Sequence, residues 1–179
     1  MHRADFYVCA LPFERIGAVA PELGLDLTAF SNSPITSIHL WFDRAVTELP
    51  HAALLDRTIQ WLFNKEGWRH VQLVVSASHA LVEMSREQII ALALRELAEF
   101  FHAARQAALL RAHVIKEVRA TFSPAPGLEA CRPPARTVYP NLALAGDWTK
   151  TGWPSTMEGA VRSGYLAAGA VTGGRFLLR

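Results

Sequence analysis

Residues 141–170 read NLALAGDWTKTGWPSTMEGAVRSGYLAAGA, and this stretch leaves the chain few ways to fold. The apolar run 142–145 is too short for a helix and suits a buried strand. Gly146 follows where the chain must turn, and glycine takes positive φ or close backbone approach at least cost. Asp147 brings a carboxylate to the strand's C-terminal end. Ser155 followed by Glu158 has the spacing of a capping box, which predicts a helix from Thr156. Along that helix Gly159, Ala160, Ser163, Gly164, Ala167 and Ala168 fall on one side, so it can approach a sheet or another backbone closely. Strand, turn and helix N-terminus together offer a seat for a polar cofactor.

The rest of the chain falls into two kinds of sequence. The start is abrupt: 4–10 reads as a buried strand ended by Pro12, and 13–20 as a short helix stopped by Pro21 and Gly24. This predicts partner elements upstream. After a turn-like break at 31–34, residues 35–42 alternate, with Thr36, Ile38, Leu40 and Phe42 sharing one face. Strands over 59–63 and 71–77 are joined as a hairpin through 64–69, which holds Gly67, and the segment with Pro50 before them reads as irregular. Ser85 and Gln88 form a second capping box, opening a helix to about Phe101 with Ile89, Leu92, Ala93, Leu97 and Phe100 or Phe101 as its apolar stripe. Residues 103–112 continue as helix, 114–121 alternate as a half-buried strand, and the Pro- and Gly-rich 123–134 reads as a linker.

The expected architecture is therefore α/β with an α+β insertion. An antiparallel sheet with covering helices occupies 31–131, and 1–30 with 132–179 supply pieces of a different domain. A chain of 179 residues with 51% hydrophobic and 19% charged residues can bury a sizeable core. A net charge of +2 with no Lys/Arg block gives no reason to expect nucleic acid as a partner. Cys9 and Cys131 lie far apart, outside any CxxC pair, and read as small buried hydrophobes of a reducing compartment. The N-terminus lacks the pattern of a signal peptide, and no apolar run reaches the ~20 residues that span a bilayer. The expectation is a soluble cytoplasmic protein whose slightly positive hydropathy leaves room for peripheral contact at the inner face of the membrane. The seven histidines show no metal-ligand spacing, and neither a nucleophile elbow nor a Walker phosphate loop is present.

At the helix start, the amides of Thr156, Met157 and Glu158 lack intrahelical partners, and the positive end of the dipole favours an electron-rich group there. A flavin pyrimidine ring, which gathers negative charge near N1 and O2 on reduction, is a suitable guest. Asp147 reads either as an ordinary turn residue or as a ligand for the hydroxyls of a sugar-like chain. Trp148 and Trp153 either shield a core or form a ring-binding wall.

The run GDWTKTGWPSTMEGAVRSG resembles the C-terminal flavin motif of the FAD-dependent amine oxidase and phytoene desaturase superfamily, within it the squalene-associated branch of hydroxysqualene dehydroxylases. ADFYVCALP is similar to that family's late strand of the FAD domain, and PITSIHLWFDR, the QWLFNK region and VIKEVRATFSP to substrate-domain strands of the branch. The resemblance implies FAD as cofactor and an incomplete FAD/NAD(P)-binding Rossmann-like domain over 1–30 and 132–179, with 31–131 as substrate-binding domain. It places Gly146 and Asp147 at the ribityl and pyrophosphate region. Ser155, Thr156, Met157 and Glu158 fall at the isoalloxazine ring, Gly159 where close approach is needed, and Trp153 and Pro154 nearby.

Two departures shape the reading. Amine oxidases often carry an aromatic residue before Met-Glu-Gly; here Thr156 stands there, which favours isoprenoid chemistry over amine oxidation. The family's Gly-x-Gly-x-x-Gly turn, which grips the pyrophosphate, has no counterpart in this sequence. The chain thus reads as the C-terminal part of a flavin oxidoreductase acting on hydroxysqualene, squalene or a carotenoid precursor by hydride transfer, with no acid or base assigned. The alternatives are a non-catalytic fragment or subunit that needs a separate N-terminal FAD-binding half, and an amine oxidase. The apolar faces of the middle sheet read equally as a lipid wall or as ordinary core.

Overall fold

Strand β2 (Asn32–Phe42) organises the middle of the chain in the computed structural model, which describes residues 3–174. Thr36, Ile38, Leu40 and Phe42 are buried on one face, while Ser37, His39 and Trp41 are half-buried on the other, as the period of two requires. The strand begins earlier than the expected break at 31–34 allows. Pro34 lies one position outside the register with β5 (His70–Ser76), which opens at Ile35↔Ser76, so its missing N–H costs that ladder nothing. β5 pairs antiparallel with β4 (Trp61–Asn64) as the expected hairpin, with Gly67 at φ 65° in the connection.

Two features of this sheet depart from the sequence reading. A short strand, β3 (His51–Ala53), lies in the segment expected to be irregular and pairs with β4. β6 (Leu109–Phe122) starts where helix was expected over 103–112, completing the order β3-β4-β5-β2-β6. The Ala- and Leu-rich composition there favours helix locally, but the ladder to β2 outweighs propensity. Only His102–Gln106 remains helical, as α4; a single turn, α2 (His79–Val82), follows β5.

α3 (Arg86–Phe100) has the expected capping box: the Gln88 amide donates to Ser85 Oγ at 3.2 Å and the Ser85 amide to Gln88 Oε1 at 2.7 Å. Ile89, Ala93 and Leu97 are fully buried against Ile38, Leu40 and Leu73. Among them sits Glu96, 4% exposed, whose carboxylate accepts from the amides of Thr58 (3.2 Å) and Ile59 (2.8 Å). The apolar face of the sheet is therefore core, and the lipid-wall reading of that face is withdrawn.

The chain divides into two compact units, one of Asn32–Thr121 and one of the residues up to Ser31 with those from Phe122 onward. The second boundary falls ten residues or so before the 131 read from sequence, because 123–134 is no linker. It folds into a short helix, α5 (Leu128–Cys131), and Leu128 is buried with Ile16, Phe30, Phe122, Leu144 and Trp148. Phe30 meets Phe122 and Trp148 edge-on, at centroid distances of 5.7 and 6.3 Å.

In this unit β1 (Tyr7–Cys9) and β7 (Leu142–Leu144) pair in parallel, register Tyr7↔Leu142 to Cys9↔Leu144, flanked by α1 (Phe13–Val19) and α6 (Met157–Thr172). β1 is shorter than 4–10 and is not buried as expected: Tyr7 and Val8 are 41% and 49% exposed. Cys9 is half-buried and Cys131 exposed, so only the first approaches the buried thiol expected. The whole is mixed α/β with an antiparallel sheet. Among the described residues no helix is long and apolar enough to cross a membrane, and no group of three His, Cys, Asp or Glu side chains is placed to hold a metal.

Candidate functional site

β7, the loop after it and the start of α6 bring most of the expected site residues together. Gly146 leaves the strand at φ 141°, and a Cβ there would lie 2.5 Å from Trp148 Nε1, so only glycine fits. Its amide donates to Ser163 Oγ at 2.7 Å, pinning the turn to the small-residue face of α6, where Gly159, Ser163 and Ala167 are buried. Its carbonyl accepts from the Thr149 hydroxyl at 2.8 Å.

Asp147 and Ser155 face one another across the loop: Ser155 Oγ donates to Asp147 Oδ2 at 2.6 Å. The capping box expected of Ser155 and Glu158 therefore does not form. The cap shifts by one residue to Thr156, whose Oγ1 accepts from the Gly159 amide at 3.1 Å, and the helix begins at Met157. Thr156 lies three residues before a glycine, so no second side chain can close a box. Glu158 instead pairs with Arg162 at 2.7 Å. The Gly159 amide is thereby satisfied, and the positive end of the α6 dipole lies at Met157. Gly159 is also fixed by contact, since a Cβ would lie 2.6 Å from the Pro154 carbonyl oxygen.

The two tryptophans separate. Trp148 is 1% exposed, and its Nε1 donates to the Leu11 carbonyl at 2.9 Å. Its ring belongs to the core, so as a ring-binding wall it is withdrawn. Trp153 is 42% exposed, with the Arg162 guanidinium 4.4 Å from its ring centroid. Pro154 is exposed beside it, and Met157 stands 89% exposed at the helix start. An apolar side chain left so open beside a helix N-terminus and an aromatic ring suits a flat, partly polar ring system.

Sequence reading missed Arg132, hidden in the supposed linker. Its side chain is 3% exposed. Nη1 donates to Glu129 Oε2 (2.6 Å) and to the Trp153 carbonyl (2.8 Å); Nη2 donates to the Asp147 carbonyl (2.7 Å) and to Thr151 Oγ1 (3.0 Å). The one available signal was a basic residue followed by two prolines, in a position that cannot extend a helix.

The chain matches the family described as flavin containing amine oxidoreductase over residues 1–172. It is 32% identical over 190 residues to a 15-cis-phytoene desaturase from an Oncidium hybrid cultivar, covering 93% of this chain and 32% of that protein. It is 31% identical over 164 residues to hydroxysqualene dehydroxylase of Sinorhizobium fredii, covering 92% of this chain and 38% of that protein. A crystal structure of a protein from Exiguobacterium sp. 255-15, provisionally assigned as a protoporphyrinogen oxidase, superposes with a TM-score of 0.62 at 16% identity, over 95% of this chain and 40% of that one; this likeness concerns the fold alone. The chain spans about a third of the length of the curated relatives it matches. It belongs to the flavin-containing amine oxidoreductases, a family of FAD-dependent enzymes.

Proposed function

We propose that this chain supplies the flavin-ring side of an FAD site, in an oxidoreductase acting on an isoprenoid lipid such as hydroxysqualene, squalene or a carotenoid precursor. One observation carries the reading: the Gly146–Asp147 turn is tied through Ser155 to the start of α6, beside the open face made by Trp153, Pro154 and Met157. Gly146 and Asp147 would hold the ribityl and pyrophosphate region. Ser155, Thr156, Met157 and Glu158 would meet the isoalloxazine ring, and Gly159 would keep the approach close. Bound FAD supplies the hydride chemistry; the protein's part is to orient the substrate and exclude water. The unit of Asn32–Thr121 is then the substrate-binding domain.

The pieces up to Ser31 and from Phe122 onward would be the late part of a Rossmann-like FAD domain. A parallel pair is normally covered on both faces. Here Phe6, Tyr7, Val8 and Val19 are 52%, 41%, 49% and 63% exposed, which supports completion by a separate N-terminal half carrying the glycine-rich turn. That exposure also favours a second reading, a subunit inactive without its partner.

The test is titration of the purified chain with FAD, alone and with a protein bearing that half, followed by assay with hydroxysqualene, phytoene and amines. Stoichiometric FAD binding and isoprenoid turnover only in the mixture are expected. Amine turnover with hydrogen peroxide release, and none with isoprenoids, would replace the proposal with an amine oxidase.

A further inference from the structure

Resting on the flavin-site reading, we infer that Arg132 is the positioning residue of that site, the group that gives the loop from Asp147 to Trp153 its shape. The loop contains no regular structure; Thr149 bonds the Gly146 carbonyl and Thr151 Oγ1 bonds the amide and carbonyl of Trp153, and contacts from outside fix the rest of its path. Arg132 provides them at both ends. It donates to the Asp147 carbonyl where the loop leaves the turn after β7, to Thr151 Oγ1 midway, and to the Trp153 carbonyl before α6. The Pro133 carbonyl adds a fourth tie, accepting from the Lys150 amide at 2.8 Å.

The geometry needs a guanidinium. The two Nη atoms serve four acceptors in a fixed planar fork, whereas an ammonium is a point donor with three hydrogens on a flexible stem. The side chain is also costly to keep: it is 3% exposed, and among the described residues its buried Nε has no hydrogen-bond partner and its one carboxylate partner, Glu129, is 57% exposed. A buried cation with an unsatisfied donor is a liability for stability alone. Its position is explained by what it holds, namely the backbone that carries Asp147 and presents Trp153.

Limited trypsinolysis of the full chain tests this at the Lys150–Thr151 bond, where Lys150 is exposed but its amide is tied down. FAD retention is measured on the same proteins, mixed with the complementary half. Arg132→Lys and Arg132→Ala are both expected to raise cleavage at this bond at least about tenfold, as local opening of the loop becomes more populated. Both should lower FAD retention, and ethylguanidinium should restore slow cleavage to Arg132→Ala but not to Arg132→Lys, whose ammonium occupies the site. Arg132→Lys that behaves as the unsubstituted chain in both readouts overturns the inference. Faster cleavage with unchanged FAD retention keeps the clamp and overturns the flavin reading of the loop, so the two failures are distinct. Should Arg132→Ala not fold, Thr151→Val removes the acceptor of Arg132 Nη2 together with the hydroxyl's own bonds to the amide and carbonyl of Trp153, 3.2 Å each. It is expected to raise cleavage at least about threefold, since the Arg132 bond alone contributes roughly 0.5–1.5 kcal/mol, and no increase would overturn the inference.

Discussion

Ser155 Oγ donates to the Asp147 carboxylate at 2.6 Å, so the turn after β7 and the entrance to α6 are one unit and not two neighbouring elements. The bond orients the Asp147 side chain, as its proposed role in the flavin site requires. Ser155→Ala is expected to weaken FAD retention about tenfold in the assembled enzyme, since a hydrogen bond to a charged group contributes roughly 1.5–3 kcal/mol. Asp147→Ala should lose more, with the fold of the chain preserved by far-ultraviolet circular dichroism. Retention unchanged in both variants would remove Asp147 from the site.

Glycines on α6 should respond in opposite directions. Gly164 has open space where a Cβ would go, so Gly164→Ala is expected to stabilise the isolated chain by about 0.5–1 kcal/mol through helix propensity. Gly159→Ala gains the same propensity but drives a Cβ to 2.6 Å from the Pro154 carbonyl oxygen, a backbone atom that cannot step aside cheaply. A net loss of about 1–3 kcal/mol is expected, as for overpacking. Thermal melts of the two variants side by side check the contrast.

In the other unit, Glu96 holds two strand-entry amides from within an apolar helix face. Glu96→Ala leaves the Ile59 amide buried without an acceptor and opens a cavity, for a loss of about 3 kcal/mol. Glu96→Gln retains one acceptor and should cost about half as much, since the charge-assisted part is lost. Urea denaturation monitored by tryptophan fluorescence measures both.

His39 makes the same unit sensitive to acid. Its Nδ1 lies 3.1 Å from His70 Nε2, and burial, then the nearby charges of His70, His113 and Lys65, hold its pKa below the ordinary 6.5. A histidine that resists protonation in the folded state takes up protons more readily when unfolded. Stability therefore falls as pH drops below 6.5, down to the folded pKa, and is fully present above 6.5. His39→Gln is expected to flatten the decline in melting temperature between about pH 7 and 5. An unchanged slope would assign the acid sensitivity to other groups.

Period-two burial of β2, the hairpin through Gly67 and the Ser85–Gln88 cap of α3 were all legible in the sequence, because each is fixed by residues within a few positions of one another. The sequence also marked Gly146 and Gly159 as places without room for a side chain, and it marked the family through the motif around them. Where competing local options were nearly equal, contacts from distant residues chose. Ser155 and Thr156 are both competent caps, and the carboxylate of Asp147 drew one of them away. Trp148 and Trp153 are equivalent aromatics in one loop, yet Phe30 and the Leu11 carbonyl hold the first in the core. Residues from Leu109 had helical composition, and β2 offered them a ladder. Arg132 had no readable role at all, because the carbonyls it serves belong to Asp147 and Trp153, which only the tertiary fold brings to it. The sequence by itself determined the flavin motif and its glycines, since steric exclusion is local. Which polar groups hold the loop and which tie the turn to α6 came from the tertiary fold alone, since hydrogen-bond partners are assigned by whichever acceptors the fold delivers within reach.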